Sequence, residues 1–309
     1  MFNILLYTIL PIFSIIFLGY ALKQKKIITS GFSIPANQIV FNIGIPAMLL
    51  SEITQAPFRE NFNVQAVLCS VGALVIVLLI SLVAIHALSI RAGRRGTFLQ
   101  SSFHGNIGYL AYAIAYYALG DTAFARMAIL GSFILVGQNV LGVWAVTIYS
   151  QEVRNNGGGK GLVFKNIVQN PIIMAVAFGI VYSALGFTIP GPIKKAMDIL
   201  SGMALPTALL LIGSSLSFGA VRTMILEVVS VGMLKLLALP FIGYFLMLAC
   251  NVPDPLIMPG VILLASPPAT ITYVMATEYG GDPEMAAACV SVFTLASALS
   301  YTLILSALA

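Results

Sequence analysis

Charge is the scarcest property of this sequence. Asp, Glu, Lys and Arg make up 8% of its 309 residues, hydrophobic residues make up 60%, and the mean hydropathy is +1.02. A water-soluble domain has too little interior to hide that much apolar surface. An all-α membrane protein is expected instead. Carboxylates are especially sparse. All ten Asp and Glu fall in loops or near the ends of apolar stretches, with Glu52 and Glu278 the deepest. A cation/proton antiporter trades protons for metal ions on membrane-buried carboxylates, and the sequence offers none at mid-span. It has two His, no His-Glu-x-x-His run and no Gly-x-Ser-x-Gly elbow, so it lacks the groups of an intramembrane hydrolase. No enzyme is expected. The three cysteines, Cys69, Cys250 and Cys289, show neither metal-ligand spacing nor a disulfide framework. They read as small buried core residues, and neither a metal nor a cofactor is called for.

What abounds is long apolar runs. A spanning helix needs roughly 20 such residues. Ten segments qualify: 3–22, 36–56, 65–89, 98–119, 124–149, 166–186, 197–218, 226–250, 257–279 and 284–308. No positive side chain precedes the first span, and Lys23, Lys25 and Lys26 follow it. That is the reverse of a secretory signal, so it reads as a retained helix. The net charge of +5 is no nucleic-acid footprint, because its distribution follows the spans. Ten Lys and Arg (Lys23, Lys25, Lys26, Arg91, Arg94, Arg95, Arg154, Lys160, Lys165, Arg222) follow the odd-numbered spans, and four (Arg59, Arg126, Lys194, Lys195) lie on the other side. Basic residues favour the cytoplasmic side, which puts both termini on the non-cytoplasmic side. The glycine run 157–159 marks 151–165 as a flexible cytoplasmic linker. A linker this short suits the plasma (inner) membrane of a prokaryote.

One spacing relates the two halves. Pro11, Gly19 and Pro46 recur as Pro171, Gly179 and Pro206, each 160 residues on, and Asp121 recurs as Asp282, 161 on. The chain therefore reads as two copies of one unit, residues 1–150 and 166–309. Each copy holds five spans. Five is odd, so the second copy enters the membrane from the opposite side and the repeat is inverted. Inverted repeats give a route to alternating access, since each copy can take the other's conformation. A secondary transporter follows, with a passive anion channel as the rival built from the same duplication.

Substrate sites in such proteins form where spans are discontinuous. The fourth span contains Gly105, Asn106 and Gly108; the ninth contains Ser266, Pro267, Pro268 and Thr270. Shifted by 161, Gly105 falls on Ser266 and Asn106 on Pro267. Pro267 and Pro268 lack N–H groups, so the ninth span cannot keep its ladder there. Two glycines and an asparagine weaken the fourth. If both breaks lie at one depth, two half-helix N-termini point at one spot and favour an anion. The Asn106 amide adds a donor. Other polar residues lie at mid-span. Gln138 and Asn139 either line the cavity or join helices. Lys235, about ten residues into the eighth span, is costly in lipid and reads as a fixed or coupling charge. His104 borders the fourth-span break and reads as packing or proton transfer.

These residues also carry a resemblance. Gly105-Asn106-Ile107-Gly108-Tyr109, followed by Ala118-Leu119-Gly120-Asp121, resembles the fourth-helix signature of the auxin efflux carrier family, which includes plant auxin carriers and bacterial malonate-type permeases. Asn170-Pro171-Ile172-Ile173, Leu205-Pro206, Leu211 to Leu216, and Ser266 to Asp282 are similar to its later helices. The resemblance implies ten helices in a five-plus-five inverted repeat with broken helices 4 and 9 crossing. It implies a scaffold of spans 1, 2, 6 and 7 that mediates a homodimer, and a mobile transport domain of spans 3–5 and 8–10. The substrate would be a small organic anion held at the crossing by Asn106. Movement would be driven by a coupling ion, H+ or Na+, or by the membrane potential. Ala113 stands near where the family often has a proline, so the fourth-span break must rest on Gly105 and Gly108.

Overall fold

The computed structural model describes residues 4–55, 61–150 and 169–308. The 151–165 linker, together with Arg59, Arg154, Lys160 and Lys165, lies outside the described residues. Among those described the chain is helical, with one isolated β-bridge and no strand. Seven helices are long and apolar enough to cross a membrane: α1 Leu5–Gln24, α2 Ser30–Gln55, α3 Val64–Ala87, α6 Ala123–Thr147, α8 Gly191–Ser215, α9 Ile225–Ala249 and α12 Pro283–Leu308. The remaining three apolar runs are short or broken. Residues 98–119 give α4 Arg95–Phe103 and α5 Ile107–Gly120, 166–186 gives α7 Pro171–Ala184, and 257–279 gives α10 Asp254–Leu264 and α11 Ile271–Glu278. The second run begins earlier than its hydropathy suggests, at Ser30 rather than 36, with Pro35 accommodated inside the helix.

The outside of the bundle is apolar. Phe17, Leu68, Val83, Phe241 and Leu299 are each more than 60% exposed, an arrangement suited to lipid rather than water. The inside holds polar residues. In α4 every residue from Gly96 to Phe103 is buried, including Thr97, Gln100, Ser101 and Ser102. Such a helix is stable only where protein surrounds it.

Small residues set the packing. α1 lies against α8 and α2 against α7. A Cβ on Gly19 would run into the Leu210 backbone, and one on Gly179 would press on Leu50 and Ile53. Gly19 and Gly179 differ by 160 and so do Leu50 and Leu210, so the two contacts exchange under a single shift. Close approach of this kind is how membrane helices associate without a hydrophobic drive between them. Backbone angles show a similar spacing. Residues with φ between 53° and 75° fall in three pairs, Lys26 with Gly186, Ser89 with Asn251, and Gly120 with Gly280, at offsets of 160, 162 and 160. Each follows or ends a helix; Gly120, with ψ 176°, is extended rather than left-handed helical and breaks the helical run between α5 and α6.

Candidate binding site at the helix breaks

α4 ends at Phe103 and α5 begins at Ile107; α10 ends at Leu264 and α11 begins at Ile271. The two gaps meet. The N–H of Asn106 donates to Pro267 O at 2.8 Å, and the N–H of Ala269 donates to His104 O at 3.1 Å. Gly105 and Pro268 face each other as the antiparallel pair. They are 163 apart, two residues beyond the 161 register read from the sequence. Neither hydrogen bond uses the missing proline donors.

Each break leaves backbone groups that need partners. At the first, Gln138 of α6 supplies both. Its Oε1 accepts from Gly105 N and its Nε2 donates to Gly105 O, each at 3.0 Å. At the second, the prolines orphan carbonyls. Pro268 cannot give Leu264 its i−4 hydrogen bond, and the ammonium of Lys235 donates to Leu264 O instead, at 2.7 Å. Leu263, deprived by Pro267, receives Ser266 Oγ at 2.7 Å. Lys235 is 1% exposed and sits in a widened π-helical turn, Met233–Ala238, a feature frequent at functional sites. Gly105 must be small here. A Cβ would collide with Ser266 Oγ and come within 3.0 Å of Lys235 Nζ.

Asn106 differs from these capping groups. It is 5% exposed, and its Nδ2 is buried without a hydrogen-bond partner among the described residues. It heads α5, whose first-turn N–H groups no intrahelical carbonyl can reach. Thr270 heads α11 in the same way. Gly108 lies one residue into α5 against Ile172 of α7. His104 is buried, with Nδ1 3.5 Å from Gln100 Nε2.

The sequence-based list is thus brought together at one point with two exceptions. Asn139 turns away and donates to Leu135 O in its own helix at 2.7 Å. Gly108 faces α7 rather than α10 or α11. Two polar groups beside the break escaped the sequence reading. Gln100 Oε1 and Ser101 Oγ are buried without partners among the described residues. The i, i+4 spacing of Gln100 and His104 was the available signal. Cys250 departs from its expected place in the core, because it closes α9 and is exposed.

At one end of the bundle a single guanidinium gathers three helix starts. Arg94, just ahead of α4, bonds Glu227 of α9 at 2.9 Å and Asp282, just ahead of α12, at 3.1 Å. Burial works to lower the Arg94 pKa, but the two carboxylates outweigh it and raise the value. Asp282 also caps α12 through Met285 N and receives Arg94 beside a cavity of about 550 Å³. A smaller cavity of about 280 Å³ is lined by Glu52, Asp198, Tyr116 and Tyr117. Asp198 is in the third turn of α8, deeper than the sequence reading placed any acidic group other than Glu52 and Glu278.

A family model described as "Membrane transport protein" matches residues 4–156 and 160–305. The chain belongs to that family, the auxin efflux carriers. Members from distant organisms align along the whole length. A Rhizobium meliloti (strain 1021) protein named "Putative malonate transporter" is 27% identical over 306 residues, covering 95% of this chain and 92% of the relative. Proteins named only as uncharacterized transporters, from Methanothermobacter thermautotrophicus and Methanocaldococcus jannaschii, are 22% and 23% identical, over 96% and 94% of both chains. All three are named as transporters, and this family member is accordingly a multi-pass membrane transporter.

Proposed function

We propose that the protein is a secondary carrier of a small organic anion, a mono- or dicarboxylate, working by alternating access. The observation that carries the reading is the buried, unpartnered amide of Asn106 at the head of α5. A carboxylate there would receive that donor at the positive dipole ends of α5 and α11. Lys235 adds a buried positive charge next to the same break. The malonate named for the Rhizobium relative fits this chemistry as a test ligand.

The mechanism we infer is movement of a transport domain (α3–α6 and α9–α12) against a scaffold (α1, α2, α7 and α8), in a ten-span, five-plus-five inverted repeat. The paired positive-φ residues and the exchanged Gly19 and Gly179 contacts support the repeat. The Arg94 node, confined to α4, α9 and α12, supports one body moving as a unit. Tyr109 of α5 donates to Asn37 of α2 at 2.6 Å, a contact between the two bodies that such a motion would break. Lys235, occupying an orphaned carbonyl, would serve as a fixed cation in place of a bound coupling ion. Both termini would lie on the non-cytoplasmic side and the scaffold would form the dimer.

The decisive experiment is uptake of labelled malonate and related carboxylates into proteoliposomes, wild type beside Asn106→Ala. Losing a hydrogen bond to a charged group costs about 1.5–3 kcal/mol, roughly a 10- to 150-fold weaker affinity. Equal uptake by both proteins, or cation transport indifferent to every carboxylate, would overturn the reading in favour of the antiporter. Uptake that never saturates would favour the channel.

A further inference from the structure

Two of the three cysteines meet. Cys69, in the second turn of α3, is 5% exposed, and its Sγ points at Leu246 O of α9, 3.4 Å away. Cys250 closes α9 one turn later, and its own N–H donates to that same Leu246 O at 3.0 Å. Both residues therefore converge on one carbonyl, and the two thiols lie near enough to interact electrostatically. α3 and α9 pack along this seam. The environments differ in a useful way, since the Cys250 thiol is exposed while Cys69 is buried behind it. Cys289 is buried elsewhere, in α12.

The end of the bundle at which they meet can be read from charge. Arg91, Arg94 and Arg95 lie between α3 and α4, and Glu227, which pairs with Arg94, opens α9. These groups mark the opposite ends of α3 and α9 from the thiols. Basic residues concentrate on the cytoplasmic side, which would place the pair on the other face, away from the cytosolic thiol pools that keep cysteines reduced.

We propose that Cys69 and Cys250 form a disulfide in the membrane-inserted protein, joining the start of α3 to the end of α9. The oxidant is a small-molecule or protein disulfide in the non-cytoplasmic space. The exposed Cys250 thiolate attacks one sulfur of that disulfide, giving a mixed disulfide and releasing one thiol. The Cys69 thiolate then attacks the Cys250 sulfur and releases the second thiol. Two protons leave the protein and its two electrons pass to the oxidant, which is reduced to two thiols. The bond would tether α9 just ahead of the turn into α10, the first half of the broken helix. It stands independently of the substrate and the transport cycle, and rests on the packing of α3 on α9 and on the non-cytoplasmic placement of the termini proposed above.

Membranes are isolated with free thiols blocked, dissolved in denaturing detergent, and labelled with a maleimide mass tag before or after reduction. With a disulfide, the initial block takes up any exposed free thiol, and reduction exposes two new sites on the wild type. Cys69→Ser and Cys250→Ser should each show no new site. Two outcomes overturn the proposal: no new sites on the wild type, or new sites that persist in Cys69→Ser, which would mean that Cys250 pairs with another molecule.

Discussion

The two breaks differ in how they are made, and each needs a different cap. The first contains no proline. Every residue from His104 to Gly108 keeps its N–H, so the break leaves a donor and an acceptor on Gly105, and both are met by a side-chain group that carries one of each on separate atoms, a primary amide. The second is made by Pro267 and Pro268. Proline removes donors only, so what remains are carbonyls, and the caps are donors: a serine hydroxyl and a lysine ammonium. A glycine break calls for a group that gives and accepts; a proline break calls for groups that give.

That contrast can be broken by substitution. Gln138→Leu should do the most harm, because it leaves the buried Gly105 N–H unmet and takes from Gly105 O one of its two donors, the other being Ile107 N–H at 2.9 Å. At about 1–3 kcal/mol for the buried unsatisfied N–H and about 0.5–1 kcal/mol for the lost second bond to the carbonyl, the loss is about 1.5–4 kcal/mol, read as a fall in the melting temperature of the purified protein. Gln138→Glu should sit between this variant and wild type, keeping the acceptor and losing the donor. If Leu and Glu behave alike, the two-sided cap is not what holds this break. Lys235→Met keeps the volume and removes the ammonium from Leu264. The expected cost is about 1.5–3 kcal/mol, as for a hydrogen bond to a charged group, and unchanged melting would show the carbonyl to be satisfied some other way. Gly105→Ala forces a methyl group toward Ser266 and Lys235. Overpacking of this kind costs about 1–3 kcal/mol, and uptake should fall with it as the breaks are pushed apart; normal uptake would mean that the gap can widen freely. Ser266→Ala should matter least, about 0.5–1 kcal/mol for one neutral hydrogen bond, because Leu263 O also accepts backbone N–H groups from Ala265 and Ser266. A loss as large as that of Lys235→Met would sink the distinction between the two carbonyls.

Both breaks were legible in the sequence because glycine and proline act on the backbone where they stand. Gly105 and the proline pair needed no tertiary information, and the first break forms without a proline at Ala113, which lies buried inside α5. Lys235 was legible as an anomaly, a charge in an apolar run. Its partner was not, because Leu264 is 29 residues away and carbonyls leave no mark in a sequence. The same holds for Gln138, 33 residues from Gly105: a mid-span amide announces that it needs a partner without saying which. Gln100 and Ser101 were passed over because α4 is polar enough to look like a helix with a wet face, and only packing reveals that it has none. Cys250 was taken for core because the apolar run continues through it, although the helix ends one residue earlier.

The bridge between the breaks has a consequence for how the protein is made. During synthesis the Gly105 peptide waits only for Gln138 before it can be covered. The flanking groups, Asn106 N–H and His104 C=O, have partners that do not exist until Pro267 and Ala269 are added. At about 5–20 residues per second, that is a delay on the order of 10–30 s in which half of the crossing has been delivered to the membrane and its counterpart has not been translated. An insertion machinery must shelter α4 and α5 from lipid for that interval, and codons or ligands that slow the second half would lengthen the most vulnerable period in the life of the chain.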